Sequence, residues 1–344
     1  MCFQVNGFSS KLVSRTVFRA DRENCRRGFY ENPQMFGIVW RARLVSTAGV
    51  TVFTLKSCVL AARPKTLPAA IVPVWVGCVL AWKISGSFDL SLALSTLLGA
   101  LAIQIATNFF NDVIDSKKGA DTERRLGPVR VTASGMLRPG TVMAVAAGFL
   151  AMAVVCGVVL YQARGWPIVL IGIPSLFLAY GYTGGPFPLA YRGMGELFVI
   201  LFFGLVAVAG TVFIQTGLWP REALLLGLQV GLLSAVLISI NNFRDRDEDA
   251  MTGKRTLAVR FGPKPAAAVI WLEIKLAAFL GLIWFAWNQP ILSAASLPVL
   301  LIGMRIIWGV LTLPPGPAFN RLLALAGVQL ILFAVVFHAA ATLF

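Results

Sequence analysis

The sequence is poor in the residues that most often do chemistry. It has one histidine, His338, close to the end of the last apolar run. Catalysis built on an imidazole is therefore excluded everywhere else, and a packing role is the plainer reading of His338 itself. The five cysteines, Cys2, Cys25, Cys58, Cys78 and Cys156, are odd in number and scattered, with no Cys-x-x-Cys. That argues against a disulfide framework and against a thiolate zinc site. Acids are scarce, at 15 against 30 Lys and Arg. A net charge of +15 would suggest nucleic acid in a soluble protein, but 58% of these 344 residues are apolar, so no nucleic acid partner is expected. Long polar stretches are also missing beyond about residue 65. Apolar runs fill the rest at about 66–83, 90–110, 141–161, 167–183, 195–217, 222–240, 265–287, 290–313 and 321–344. Each is long enough to cross a bilayer core. The expected fold class is an all-α polytopic membrane protein, with about nine transmembrane helices around a central cavity.

Charge sets the expected orientation. With the N-terminus inside, the inner loops 111–140, 184–194, 241–264 and 314–321 carry 14 Lys and Arg, while the outer loops carry only Arg164 and Arg221. This is the positive-inside asymmetry. It puts both Asp-rich stretches, 108–115 and 241–249, on the cytoplasmic side, and the expected location is the bacterial inner (plasma) membrane, as a multi-pass protein. Residues 1–60 form a basic N-terminal extension, read as a lipid-associated tail, a targeting segment or the product of an over-long start site with Met35 as the alternative. Residues 61–344 form the transmembrane domain.

What acid there is, is concentrated. Asn108-Phe-Phe-Asn111-Asp112-Val-Ile-Asp115, followed by Asp121 and Glu123, closes the second apolar run, and Asn241-Asn242-Phe-Arg244-Asp245-Arg-Asp247-Glu248-Asp249 closes the sixth. On a helix Asn108, Asp112 and Asp115 share one face, as do Asn241, Asp245 and Asp249. Carboxylates gathered at a membrane edge repel unless a cation lies between them, and oxygen-only ligands suit Mg²⁺ shared with a phosphate-bearing substrate. The flanks are cationic. Lys65 sits in Arg63-Pro64-Lys65-Thr66-Leu67-Pro68, Arg130 in the Gly127-Pro128-Val129-Arg130 turn, and Lys254 in Gly253-Lys254-Arg255-Thr256. Guanidinium and ammonium groups beside glycines suit a diphosphate, although Lys65 could also snorkel to lipid headgroups. Tyr182-Thr-Gly-Gly-Pro-Phe-Pro leads to Glu196, and such irregular backbone at membrane depth survives where it lines a cavity. Glu196 is either a first-turn acid favoured by the helix dipole or a substrate contact. Glu273, Lys275 and Arg305 are intramembrane charges and open functional candidates. The acidic stretches lie 133 residues apart (241 − 108), as in two four-helix pseudo-repeats plus a last helix, which would set the acidic faces across one cavity.

A diphosphate head, a cation and a greasy cavity suit loss of diphosphate from an allylic prenyl chain, with the prenyl cation captured by an electron-rich acceptor. At this point Asn111-Asp112-Val-Ile-Asp115 with Asp121, and Asp245-x-x-x-Asp249, resemble the two aspartate motifs of the UbiA-like intramembrane prenyltransferases. The runs Arg63-Pro-Lys65-Thr-Leu-Pro, Tyr182-Thr-Gly-Gly-Pro-x-Pro-Leu…Gly-x-Gly-Glu196 and Asn241-Asn242-x-Arg244-Asp245…Gly253-Lys254-Arg255-Thr256 resemble the 1,4-dihydroxy-2-naphthoate branch of menaquinone synthesis. The resemblance covers about residues 60–344. It implies Mg²⁺ on Asp112, Asp115 and Asp121 and on Asp245 and Asp249, supported by Asn108 and Asn241. It implies diphosphate contacts from Lys65, Arg130 and Lys254, and an acceptor facing Tyr182 and Glu196. The implied partners are a polyprenyl diphosphate, the naphthoate acceptor and membrane lipid. Many members of this branch have Tyr in the first motif where this chain has Val113-Ile114, with little expected consequence. The rivals are another aromatic acceptor (4-hydroxybenzoate, homogentisate, a chlorin or haem), a CDP-alcohol phosphotransferase, whose acids would fall in one continuous motif, and a transporter using the acids as an ion site.

Overall fold

A short helix over 56–62 begins the described part of the chain, and two prolines then lead into the first long helix. Arg63 takes a left-handed conformation (φ 50°), Pro64 opens a 3₁₀ turn over Pro64–Thr66, and Pro68 occupies the first turn of the next helix, where its missing N–H costs nothing. The computed structural model describes residues 56–120, 126–127 and 129–343, which are helical or irregular with no strand. The basic tail before residue 56 lies outside the described residues, as do Asp121, Glu123, Arg124 and Arg125.

Among the described residues nine apolar helices follow: α1 Pro68–Ser85, α2 Leu90–Lys117, α3 Pro139–Arg164, α4 Trp166–Gly181, α5 Gly195–Thr216, α6 Arg221–Arg244, α7 Pro263–Ala286, α8 Pro290–Thr312 and α9 Phe319–Leu343. Eight of them are long and apolar enough to cross a membrane. The exception is α4. Its 16 residues span about 24 Å at 1.5 Å per residue, short of a bilayer core of about 30 Å. The Gly- and Pro-rich segment 182–194 continues from it as irregular backbone. By contrast α2, with 28 residues, reaches about 42 Å and carries its acids past the apolar part of the helix. Asp89 caps its start, accepting from Leu92 N at 3.0 Å. The Ser91 hydroxyl, then the Leu92 amide, hold the Asp89 carboxyl below the usual range.

Loop contacts confirm the up-and-down order. At one end Asn320 Nδ2 donates to Leu126 O (3.2 Å), Lys118 Nζ to Thr183 O (2.8 Å) and Arg255 N to Tyr191 O (3.1 Å). At the other, Asp89 N donates to Gln215 Oε1 (2.9 Å) and Arg164 Nη2 to Gln215 O (2.9 Å). Both acidic stretches sit at the first end, as their spacing predicts.

Packing is uneven. The largest core joins α1, α6, α7, α8 and α9 around Leu226, Ile270, Trp284, Phe333 and Phe337. A smaller one joins α2 and α3 around Phe109, Val113 and Val142. His338 belongs to the large packing unit, accepting at Nδ1 from Trp75 Nε1 (2.8 Å) and tying α1 to α9. Each of the intramembrane charges has a local contact. Glu273 accepts from Ser239 Oγ at 2.9 Å, Lys275 lies over Trp271 and Phe279, and Arg305 over Trp308.

The tightest crossing is between α5 and α6. Over Ile200–Val206 α5 runs as π-helix, and Gly204 there meets Gly227-Leu-Gln-Val-Gly231 of α6. A Cβ on Gly204 would lie 2.4 Å from Gly227 O and 2.5 Å from Gly231 Cα. This is the small-residue crossing of membrane helices, backbone on backbone. Gly204→Ala is therefore expected to lower the thermal unfolding midpoint in detergent, by about 1–3 kcal/mol of overpacking. Gly148→Ala on α3, with nothing within 4 Å of the new Cβ, should leave it unchanged. Equal midpoints for the two variants would refute the crossing.

Candidate active site

Every predicted site residue that is described lines one cavity of about 1120 Å³. Helices α1–α6 and α9 line it with their loops, while α7 and α8 contribute no lining residue. Its head lies among the two acidic stretches. Its body runs between α2, α3, α4 and α5, past Cys156, Leu160, Phe198 and Phe202, to Ile214 and Trp166.

The head begins on the last turns of α2. Asn108, Asp112 and Asp115 share a face, as the spacing of four and three predicts, and all three are buried. They do not stand exposed and repelling, as their composition suggested. Asp112 accepts two backbone amides, from Val131 (3.2 Å) and Thr132 (2.8 Å), so it anchors the loop that carries Arg130. Asp115 accepts from Tyr191 Oη at 2.9 Å through Oδ1, and from Arg130 Nη2 and Lys254 Nζ at 3.1 Å each through Oδ2. Asn108 supports the head indirectly. Its amide donates to Ala62 O (2.9 Å) and Thr66 Oγ1 (3.1 Å), fixing the turn that holds Arg63 and Lys65. Lys65 itself is exposed at the cavity rim.

The second acidic stretch keeps its face although its helix is interrupted. Asp245 leaves helical geometry (φ −91°, ψ 5°) between α6 and the short helix Arg246–Met251. The spacing of four survives because Asp245 N still reaches Asn241 O (3.0 Å) and Asp249 N reaches Asp245 O (2.8 Å). Arg244, whose side chain is fully buried, grips both Asp245 oxygens at 2.7 Å. It also donates to Asn241 Oδ1 (2.7 Å) and to Asn320 Oδ1 (2.6 Å). Asn320 in turn reaches Leu126 O, so one network ties the second acidic stretch to the loop after the first. Asp247 projects into solvent, as expected.

The stretches meet at Lys254, whose ammonium lies 3.1 Å from Asp115 Oδ2 and 4.0 Å from Asp249 Oδ1. A cation of this chain thus already occupies the gap between the clusters. Among the described residues no three His, Cys, Asp or Glu side chains converge as a closed metal cage. Asp112, Asp115, Asp245 and Asp249 do line the head with carboxylate oxygens, the donor type a hard divalent cation takes when substrate phosphates complete its shell. Deeper in, Glu196 is buried and accepts from Asn242 Nδ2 at 2.8 Å, while its Oε2 has no hydrogen-bond partner. It is in the first turn of α5, yet it faces the cavity rather than solvent. Tyr182 lies nearby. Burial, then the Glu196, Asp115 and Asp249 carboxylates, push its phenol well up, so it stays a neutral donor across physiological pH.

Sequence reasoning missed four residues of this arrangement as individuals. Arg244 and Asn242 stood inside a quoted motif, and a cation beside Asp245 at the end of an apolar run needs a partner once buried, which was a usable signal for Arg244. Tyr191 and Asn320 carried none, because their roles depend on which loops meet.

Residues 70–328 match the UbiA prenyltransferase family. The chain belongs to this family. It is 37% identical over 215 residues to the 1,4-dihydroxy-2-naphthoate octaprenyltransferase of Bacillus subtilis, covering 62% of this chain and 69% of that one. It is 30% identical over 253 residues to the 2-carboxy-1,4-naphthoquinone phytyltransferase of Synechocystis, covering 71% and 80%. Its fold matches a UbiA homolog from Archaeoglobus fulgidus solved with GPP and Mg²⁺, with a TM-score of 0.55 at 17% identity over 83% of this chain and 99% of that one. This UbiA family member is thus an integral, multi-pass membrane prenyltransferase.

Proposed function

We propose that this chain transfers a polyprenyl group from an allylic polyprenyl diphosphate to 1,4-dihydroxy-2-naphthoate, releasing diphosphate and CO₂ to give demethylmenaquinol, the hydroquinone form of demethylmenaquinone. The observation that carries this reading is one continuous cavity with a charged head and an apolar body. Its volume of about 1120 Å³ exceeds the roughly 300–1,000 Å³ of ordinary small-molecule sites, as a long tail requires. The acceptor follows from the 37% identity to the naphthoate enzyme of Bacillus subtilis.

The residues take the following roles. Asp112, Asp115, Asp245 and Asp249 would hold Mg²⁺ against the diphosphate, with Asp121 as a further ligand. When bound, the metal neutralises the diphosphate and stabilises the charge that builds on it as it leaves. Arg130 and Lys254 bind phosphoryl oxygens from inside the head, and Lys65 does so from the rim. Asn108 and Asn241 hold the backbone turn and the Arg244 guanidinium that shape the head. The apolar body excludes water from the prenyl chain as its C–O bond breaks, so the allylic cation persists until the ring captures it. Tyr182 and Glu196 position the acceptor at the junction of head and body. A new C–C bond then forms at the ring carbon bearing the carboxylate. That carboxylate leaves as CO₂, and its bonding pair restores the aromatic ring. The excess of Lys and Arg on the acidic-end loops supports a cytoplasmic-facing head in a bacterial inner membrane. Of the basic N-terminal extension, Val59 and Leu60 line the cavity; the residues before 56 are given no role in the chemistry.

The test is an assay on purified protein in detergent with Mg²⁺, a radiolabelled polyprenyl diphosphate, and either 1,4-dihydroxy-2-naphthoate or 4-hydroxybenzoate. A lipid-soluble labelled product with the naphthoate alone, with CO₂ release, abolished by EDTA and restored by Mg²⁺, is expected. Product with 4-hydroxybenzoate alone would move the acceptor to a ubiquinone-type precursor. Activity that survives EDTA would remove the metal.

A further inference from the structure

Tyr191 lies outside every role assigned so far, yet four parts of the site converge on it. Its hydroxyl donates to Asp115 Oδ1 at 2.9 Å. Its ring lies 3.9 Å from the Lys118 ammonium and 5.2 Å from that of Lys254. Its carbonyl accepts from Arg255 N at 3.1 Å, and Lys118 ties the same neighbourhood to Thr183 O at 2.8 Å. The segment holding it is fixed just after it, because Gly193 (φ 68°) lies so close that a Cβ would come 2.7 Å from Arg255 O. Burial lowers the Lys118 pKa, with Asp115 opposing that and Lys254 adding to it.

The consequence for Asp115 is specific. One of its oxygens is committed to a neutral phenol, and the other faces Arg130 and Lys254. The Lys254 ammonium rests beside an aromatic ring, a cation–π shelf, rather than on carboxylates alone. Around this carboxylate stand Arg130, Lys118 and Lys254, cations that an incoming diphosphate would engage. We propose that Tyr191 is a positioning residue: its hydroxyl fixes which Asp115 oxygen is presented to a cation, and its ring sets where Lys254 stands between the two acidic stretches. The inference rests on the prenyl-diphosphate reading and extends it to the 182–194 loop.

The test uses Tyr191→Phe and Tyr191→Leu in the full chain in detergent, at a temperature well below both melting midpoints. The probe is a non-reactive geranyl thiodiphosphate, titrated calorimetrically at a series of Mg²⁺ concentrations. Tyr191→Phe keeps the ring and loses the hydroxyl. The Mg²⁺ needed for half-maximal probe binding should rise about tenfold, the loss typical when a group orienting a metal ligand is removed. Its probe affinity at saturating Mg²⁺ should stay within about threefold. Tyr191→Leu also loses the shelf, and its probe affinity should fall about tenfold even at saturating Mg²⁺. A purely structural tyrosine would lower melting midpoints without separating these two titrations. Wild-type Mg²⁺ dependence in Tyr191→Phe, or unchanged saturating affinity in Tyr191→Leu, overturns the proposal. Failure of the wild-type protein to bind the probe at any Mg²⁺ concentration overturns the prenyl-donor reading beneath it.

Discussion

Arg244→Met is expected to lower the melting midpoint more than any other single substitution at the acidic end. The Arg244 guanidinium is fully buried, bidentate on Asp245, and bonded to Asn241 and Asn320. Removing one member of a buried ion pair leaves an uncompensated charge, at a cost of about 3–5 kcal/mol. Here the stranded group is the Asp245 carboxylate. Two amide oxygens, on Asn241 and Asn320, lose their donor as well. Arg244→Lys should recover little, because a single ammonium cannot reproduce the planar fork. The decisive comparison is the double variant Arg244→Met with Asp245→Leu. Removing both charges should return much of the lost stability, since buried pairs often tolerate replacement by apolar residues. Strictly additive losses in the double variant would mean that the pair is not coupled. Turnover should stay absent in the double variant even where the fold recovers, which separates the pair's structural work from the site's chemistry.

Asp112 gives the second large effect, split between two substitutions. Asp112→Asn should leave the protein folded but cut turnover by about 10²–10³-fold, the usual loss when an electrostatic group is removed from a transition state. The amide oxygen can still accept from Thr132 N, so the Arg130 loop stays in place, but the negative charge is gone. Asp112→Ala should lose activity and stability together, because the Val131 and Thr132 amides are left buried without an acceptor, at about 1–3 kcal/mol. Initial rates and melting curves on the same preparations distinguish the cases. Turnover within about threefold of wild type in Asp112→Asn would reduce Asp112 to a loop anchor.

Much of this arrangement was legible because membrane chains leave strong marks. Apolar run length located the nine apolar helices of the described residues, eight of them because a bilayer demands about 20 residues of a crossing helix whatever its neighbours are. The run at α4 reads as a full crossing, but the helix is shorter. Residue spacing placed Asn108, Asp112 and Asp115 on one buried face, and did the same for Asn241, Asp245 and Asp249 despite the break at Asp245. Charge scarcity made the two acidic stretches conspicuous. What stayed hidden was how each carboxylate is neutralised. That depends on loops that are adjacent only in space: Arg130 and Lys254 on Asp115, Tyr191 on the same carboxylate, Asn320 on Arg244. Periodicity carries no information about such meetings. The α5–α6 crossing was a different case. Gly227 and Gly231, four apart in an apolar run, were readable as a close-contact face, although Gly204 and the π-helical stretch opposite them were not.

The uneven packing has a consequence for how the enzyme is filled. By position in the two four-helix units, α7 and α8 correspond to α3 and α4. Of these four helices only α3 and α4 wall the cavity, whereas α7 and α8 close on α6 and α9 through Ile270, Trp284, Phe333 and Phe337. A bundle hollow on both sides of its head would offer a flexible chain two equivalent berths, and only one of them could point the reactive carbon at the acceptor. Plugging one side with aromatic bulk makes the container one-sided. The tail then has a single direction of entry, and the head a single way of presenting its leaving group.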